Sequence, residues 1–235
     1  LCALLKSKSD MSFPTLSFNQ TSFEAAICLN GAFPDLSEFE ELASIPLIAA
    51  DGAANILYKQ GVVPDFVVGD MDSITTDVHL ALQDAAEFVY DPDQETNDFE
   101  KALRFAQSQL WNSIAIFGLS GLLLEHTLNN WSVLMKMAES MNLGVIDSQR
   151  IAVPMFTSFK FQPTANEILS ILPQPLVKIS TRGLKWNLTD AELRLGTREG
   201  ARNQAVEPTI EIDIHAGSML FFCDSRALYA PKLTD

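Results

Sequence analysis

Phe66-Val67-Val68-Gly69-Asp70-Met71-Asp72-Ser73 is the stretch on which the fold reading turns. Three apolar residues, two of them β-branched, read as a short buried strand, and the segment that follows puts two carboxylates at its C-terminal end. Open α/β sheets bind their ligands at that edge. Taken as extended chain, Asp70 and Asp72 point the same way, because side chains alternate with period two, and they form a hard oxygen site suited to Mg²⁺. An Asp-x-Asp pair also fits a plain solvated turn, so its neighbours have to decide.

On either side of this stretch, as far as about residue 148, short apolar runs alternate with helical patterns. Strands are predicted over Ala25–Leu29, Leu47–Ala50, Phe66–Val68, Glu87–Tyr90, Ser113–Phe117 and Leu143–Ile146. Helices are predicted over Ala53–Gln60, Asp77–Ala85, Asp98–Leu110 and Thr127–Met141. This βαβ rhythm gives a doubly wound, mostly parallel sheet. Past residue 148 the helical period disappears. Phe159–Phe161, Ile168–Leu172, Leu176–Ser180, Glu192–Leu195, Thr209–Ile214 and Ser218–Phe222 read as short strands broken by Pro163, Pro173, Pro175 and Pro208, as in an antiparallel β-sandwich. The expected organisation is an N-terminal extension over residues 1–22, an α/β domain over 23–148 and a β-sandwich domain over 149–235. Met11 reads as a natural start, so residues 1–10 read as tag, upstream extension or non-standard initiation.

The 235 residues, 47% apolar, suffice for one large core or two modest ones. No apolar run approaches the roughly 18 residues of a membrane span, and Leu4-Leu5 stops at Lys6, too early for a signal-peptide core. A net charge of −14 argues against nucleic-acid and anionic-membrane partners, which need Lys/Arg fields. A polyanionic small substrate is compatible if a divalent metal bridges it to carboxylates. Cys2, Cys28 and Cys223 are scattered and read as reduced thiols of a cytoplasmic protein. His79, His126 and His215 are scattered too, which indicates neither zinc nor a Cys/His nucleophile.

Three more segments of the first half carry chemistry. Asp51-Gly52-Ala53-Ala54-Asn55 brings another aspartate to the same sheet edge; capping the next helix is the competing reading for Asp51. In Asp93-Gln94-Glu95-Thr96-Asn97-Asp98, Asn97 is an N-cap with Glu100 three residues on, which leaves Asp98 in a first turn that suits phosphate or a metal-bound carboxylate. Lys101 lies one turn further, placed for a phosphate or for an ion pair. Gly118-Leu119-Ser120-Gly121 is a glycine-bearing loop that opens onto Glu125-His126-Thr127 but lacks the Lys-Ser/Thr ending of a P-loop. In the second half, Gly183-Leu184-Lys185-Trp186-Asn187-Leu188 sets a tryptophan among turn residues, either as core or for stacking on a flat, cationic heterocycle.

Taken in order, Asp-Gly-x-Ala-Asn at 51–55, Pro64-Asp65 leading to Gly69-Asp70-x-Asp72-Ser73, Asp93-Gln94 to Asp98-Phe99, the glycine loop before Glu125-His126-Thr127, and Gly183-Leu184-Lys185-Trp186-Asn187-Leu188 resemble thiamine pyrophosphokinases over about residues 25–222. The resemblance implies an α/β nucleotide-binding domain followed by a β-sandwich, a homodimer with active sites at the subunit interface, and Mg²⁺-dependent conversion of ATP and thiamine to AMP and thiamine diphosphate. It implies Asp70, Asp72 and Asp98 as catalytic and metal-binding carboxylates. It implies Asp51, Gly52, Asn55, Ser73, Gln94, Asn97, Lys101, Glu125, His126, Asn130, Trp186 and Asn203 as substrate-binding residues, with Trp186 stacking on thiamine. The chain departs from the family pattern in three places. Leu123 stands where an arginine is usual and Glu125 where an aspartate is, Asn97 replaces a threonine, and Ala201-Arg202 replaces part of a Ser/Thr-Ser-Asn segment. These changes keep two alternatives open, a pyrophosphokinase acting on another heterocyclic alcohol such as a pterin, and a catalytically weakened nucleotide- or thiamine-binding relative.

Overall fold

Four-residue apolar strands with every residue buried need cover on both faces, and the first half of the chain supplies it with helices. The computed structural model describes residues 13–19, 21–32, 44–226 and 229–235. In chain order the first elements are β1 (Thr15–Ser17), β2 (Ala25–Cys28), β3 (Leu47–Ala50), α1 (Ala53–Lys59), β4 (Phe66–Gly69), α2 (Thr76–Leu82), β5 (Glu87–Tyr90), α3 (Asp98–Ser108), β6 (Ser113–Phe117), α4 (Leu124–Met137) and β7 (Asn142–Asp147). Then come β8 (Arg150–Met155), β9 (Phe159–Phe161), β10 (Ile168–Arg182), β11 (Ala191–Arg194), β12 (Gly200–Gln204), β13 (Ile210–Asp224) and β14 (Lys232–Thr234).

Strands β7-β6-β2-β3-β4-β5 lie side by side and parallel. Successive residues feed opposite faces. Cys28, Ala49, Val67 and Phe117 pack with Ala53, Leu57, Val78 and Leu82 of α1 and α2. Ile27, Ala50, Val68 and Ile116 pack with Phe99, Leu103, Val133 and Leu134 of α3 and α4. The order reverses at β2, which has β6 on one side and β3 on the other, so the segments after β2, β3, β4 and β6 converge at the carboxyl edge of a switch point.

The sheet continues through a tight hairpin. Ser148 and Gln149 take φ of 50° and 64°, the left-handed pair of a two-residue hairpin turn, and reverse β7 into antiparallel β8. β8 then pairs with β13, and β13 with both β9 and β10. The strand-rich C-terminal half therefore joins the helical half through continuous hydrogen bonding. Two pairs of short strands expected from the sequence are single 15-residue strands, β10 and β13. Pro173 and Pro175 do not end β10, because they sit where its register with β13 shifts between Pro173 and Val177, a bulge that needs no ladder donor from proline. Thr15–Ser17, inside the segment set aside as an extension, forms β1 between β14 and β9. Residues 1–12 lie outside the described residues.

Candidate active site

The strand-to-helix junctions at the switch point set the site. After β3, Asp51 takes φ 38° and is fully buried, and its backbone N–H donates to Val68 O at 2.9 Å. It does not cap α1, whose N-cap is Gly52 with no side-chain bond. Instead its Oδ2 accepts from the Ser73 N–H at 3.2 Å, and its Oδ1, also buried, has no hydrogen-bond partner. After β4, Asp70 Oδ2 accepts from Gln94 Nε2 at 2.8 Å and faces Lys101 Nζ at 3.5 Å. Asp98 opens α3, where Asn97 Oδ1 caps by accepting from Glu100 N–H at 2.9 Å, the bond the sequence predicts. Asp98 Oδ1 lies 3.3 Å from Lys101 Nζ.

Asp51, Asp70 and Asp98 bring carboxylate oxygens within 4.8 Å of one another. Asp72 is outside this trio, and the expected parallel aim of Asp70 and Asp72 is not realised. Met71 takes φ 65°, which breaks the extended geometry that the period-two argument requires. Asp72 Oδ1 accepts from the Ser73 hydroxyl at 2.9 Å instead.

The charge states follow from this crowding. Burial first, then Asp98, Asp72 and Asp70, lift the Asp51 carboxyl to about 6 against the pull of the Ser73 N–H. Burial also raises Asp98, with Asp70 and Asp72 adding to it and Lys101 opposing. The Gln94 amide, aided by the Asp72 N–H and Lys101, holds Asp70 below its ordinary value. Burial works against the Lys101 ammonium, but Asp98 and Asp70 outweigh it and keep the pKa above its usual value. Lys101 is thus an internal counter-ion. Arg104 is occupied as well, by Glu100 at 2.8 Å and Asp93 at 3.3 Å.

Gly69 is what lets the trio form. A Cβ there would stand 2.7 Å from the Asp51 Cβ and 3.3 Å from Asp98 Oδ1. Gly69→Ala is expected to cost about 1–3 kcal/mol by overpacking and to weaken Mg²⁺ binding, measured by thermal melts with and without Mg²⁺. Parent-like melts in both conditions would remove Gly69 from the site.

From Asp98 a cleft of about 530 Å³ runs past Ser73, Asn97 and Asn130 to Gly118–Gly121 and the first turn of α4. Gly52, Glu125 and His126 also line it. α4 begins at Leu124, three residues before the expected start, so Glu125 and His126 belong to its first turn and not to the preceding loop. Its N-cap residue, Leu123, makes no side-chain cap bond, so the helix's first N–H groups have no side-chain acceptor in a turn whose Glu125, His126 and Thr127 line the cleft. Asn97 Nδ2 donates to Asn130 Oδ1 at 3.0 Å and ties the start of α3 to the second turn of α4. Asn55 is spent on positioning: its amide donates to Ser73 O at 2.8 Å and accepts from Thr75 N–H at 3.0 Å, fixing the loop after β4.

Asn30 and Gly31, which the sequence reading passed over, also line the cleft. A Cβ on Gly31 would meet Gly118 O at 2.1 Å, so only glycine allows the loop after β6 to lie against it. An apolar strand running into Asn-Gly was the available signal, of the same kind as Asp51-Gly52. Trp186 and Asn203 do not line this cleft. They form a separate surface on which Asn203 bonds both the N–H and the O of Trp186, at 3.2 and 2.9 Å, and leaves Trp186 58% exposed.

Comparison with known proteins gives a consistent result. The family model described as thiamin pyrophosphokinase, catalytic domain, matches residues 41–145, and that for the thiamin pyrophosphokinase vitamin B1 binding domain matches residues 158–219. Thiamine pyrophosphokinase of Bacillus subtilis is 25% identical over 181 residues, covering 74% of this chain and 84% of that protein. Thiamine pyrophosphokinase 1 of Arabidopsis thaliana is 24% identical over 218 residues, 80% of this chain and 82% of that protein. In fold, the crystal structure of yeast thiamin pyrophosphokinase matches with a TM-score of 0.75 at 16% identity, over 89% of this chain and 88% of that one.

Proposed function

The chain belongs to the thiamin pyrophosphokinase family, and from that premise we propose that it moves the terminal diphosphate of ATP to the hydroxyl of thiamine in the cleft at the switch point. The observation that carries this reading is the carboxylate trio, buried at Asp51 and reaching the cleft through Asp98, at one end of a cleft whose other end is the uncapped start of a helix. One end suits a divalent cation and the other suits phosphate oxygens.

The donor set fits Mg²⁺. Asp51 Oδ1 is buried without a partner beside two further carboxylates, an arrangement that costs free energy unless a cation completes it. Asp51, Asp70 and Asp98 would hold the ion, which when bound neutralises phosphate charge and polarises phosphorus. The chain's own residues do the rest. Lys101 keeps Asp70 and Asp98 together, Gln94 orients Asp70, and Asn55 and Ser73 fix the loop that carries Asp70. The N–H groups at the start of α4 receive phosphate oxygens, which lets Leu123 stand where relatives carry a guanidinium. The acceptor oxygen bonds to the β-phosphorus, the bond from that phosphorus to the AMP oxygen breaks in line, and the hydroxyl proton leaves with AMP or solvent. Positioning and charge stabilisation supply most of the acceleration in such transfers.

Residues 23–148 are read as the ATP- and metal-binding part and 149–235 as the thiamine-binding part. Trp186 is remote from the cleft lining of its own chain, and Leu122, Leu123, Leu124 and Leu128 are exposed at and beside the mouth of the cleft. A homodimer in which the Trp186 surface of one copy faces the cleft of the other accounts for both features. Free, buried Cys28 and Cys223 fit a cytoplasmic setting.

Trp186→Ala tests the acceptor assignment. With the indole exposed and not in the core, the variant should keep its melting temperature and its KM for ATP, while KM for thiamine rises by about threefold to thirtyfold. Equal weakening of both substrates together with a lower melting temperature would return Trp186 to a structural role.

A further inference from the structure

Asn97 and Asn130 both line the cleft, and their carboxamides form one continuous chain across it. Asn97 Oδ1 accepts from the Glu100 N–H at 2.9 Å, Asn97 Nδ2 donates to Asn130 Oδ1 at 3.0 Å, and Asn130 Nδ2 donates to Leu119 O at 3.4 Å. The two ends fix its direction. A backbone N–H only donates and a carbonyl only accepts, so Asn97 turns its oxygen to α3 and its NH2 to Asn130, and Asn130 turns its oxygen to Asn97 and its NH2 to the loop after β6. Neither amide can flip without losing both of its bonds.

This relay joins the segments that shape the cleft. Asp98 of the carboxylate trio follows Asn97 directly, and Leu119 belongs to the Gly118–Gly121 loop beside the start of α4. A second tie between the helices lies elsewhere: the buried Glu100 accepts through Oε1 from Lys136 Nζ of α4 at 2.7 Å and from Arg104 Nη2 at 2.8 Å. Neither Glu100 nor Lys136 lines the cleft. The ion pairs therefore clamp α3 to α4, while the amides set how the carboxylate end and the glycine loop face each other.

We propose that Asn97 and Asn130 are positioning residues for the transfer, engaged with each other and with the glycine loop and not with the substrate. The proposal rests on the reading of this cleft as the site of diphosphate transfer. In-line displacement depends steeply on placement, and an error of about 1 Å can cost about a hundredfold in rate. Loosening the relay should thus lower kcat and leave KM in place.

The test measures AMP formation from ATP, Mg²⁺ and thiamine, with thermal melts, for the full chain and four variants: Asn97→Ser, Asn130→Ala, the two combined, and Glu100→Gln. Serine keeps the N-cap of α3 but is too short to reach Asn130. Each single asparagine variant should lose about tenfold in kcat, with both KM values within about twofold and the melting temperature within a few degrees of the parent. The double variant should fall no further than the worse single one, because both changes cut the same relay. Glu100→Gln should do the reverse, lowering the melting temperature and leaving kcat within about twofold. Parent-like kcat in both single variants, losses that multiply in the double variant, or a rise in KM for ATP at unchanged kcat overturns the relay and leaves the transfer reading intact. A kcat loss in Glu100→Gln equal to that of Asn97→Ser also overturns it, since helix packing in general would then explain the effect. If the parent forms no AMP, the transfer reading fails and the proposal fails with it.

Discussion

Asp70→Asn will leave at most about a thousandth of the parent turnover in a protein that melts within a few degrees of the parent. The estimate follows from what a metal-held phosphoryl group contributes, several kcal/mol of transition-state stabilisation, with each 1.36 kcal/mol equal to about a tenfold change in rate. Asp70 lies at the rim of the trio, its side chain 16% exposed, so losing the charge empties no core volume. What it does remove is the negative charge that faces Lys101, while the amide oxygen still offers an acceptor to Gln94. Asp72→Asn is the matched comparison. Its carboxylate bonds the Ser73 hydroxyl outside the trio, so its loss should be the smaller of the two. Steady-state rates at saturating Mg²⁺ decide the matter, and near-parent turnover in Asp70→Asn would refute the placement of the metal.

Asp51→Asn should separate stability from activity. Without metal, the native carboxyl holds its proton up to about 6, while the unfolded chain releases it near 3.8. Between those values the native state binds more protons than the unfolded one, so this group makes the native state progressively less stable as pH rises toward 6, and the full penalty persists above. An asparagine never ionises. At pH 7 the variant should therefore be more stable than the metal-free parent by up to about 3 kcal/mol, with no advantage below the unfolded value. It should also be nearly inactive and show no rise in melting temperature when Mg²⁺ is added. In the parent, Mg²⁺ competes with that proton, so its apparent affinity should fall as pH drops below about 6. Melts at pH 4 and pH 7, each with Mg²⁺ or a chelator, read both effects, and a metal-free Asp51→Asn less stable than the parent at pH 7 would refute them.

Much of the helical half was legible because its signals are local. Four-residue apolar runs ending in Asp-Gly or Gly-Asp mark strands that deliver ligands to one edge, and β3 and β5 coincide with the predicted spans, with β4 longer by Gly69 alone. Asn97 with Glu100 marks the start of α3, and the cap bond is present. Where the reading missed, the deciding term was backbone conformation that composition does not encode. Met71 in the left-handed region breaks the extended geometry on which the common aim of Asp70 and Asp72 was read, and the carboxylate that clusters with Asp70 and Asp98 is Asp51, buried and fixed by Ser73. Ser148-Gln149 makes a tight left-handed turn without glycine, so β8 went unpredicted. The long strands β10 and β13 were cut in two because prolines and Gly217, with φ 79°, look like breaks when only neighbours along the chain are considered. In the sheet they are bulges absorbed by cross-strand pairing. No sequence signal said that Trp186 and the carboxylate trio would lie on separate surfaces of one chain, since that is a property of the sheet order β13-β8-β7-β6 and not of any motif.

The reaction itself is the most direct test of the account. The purified protein is incubated with ATP, Mg²⁺ and thiamine, and the nucleotides and thiamine species are separated by chromatography over a time course. The account predicts AMP and thiamine diphosphate appearing in equal amounts, dependent on both thiamine and Mg²⁺, with no accumulation of ADP. Stoichiometric ADP with thiamine monophosphate, or AMP formation indifferent to thiamine, would contradict it.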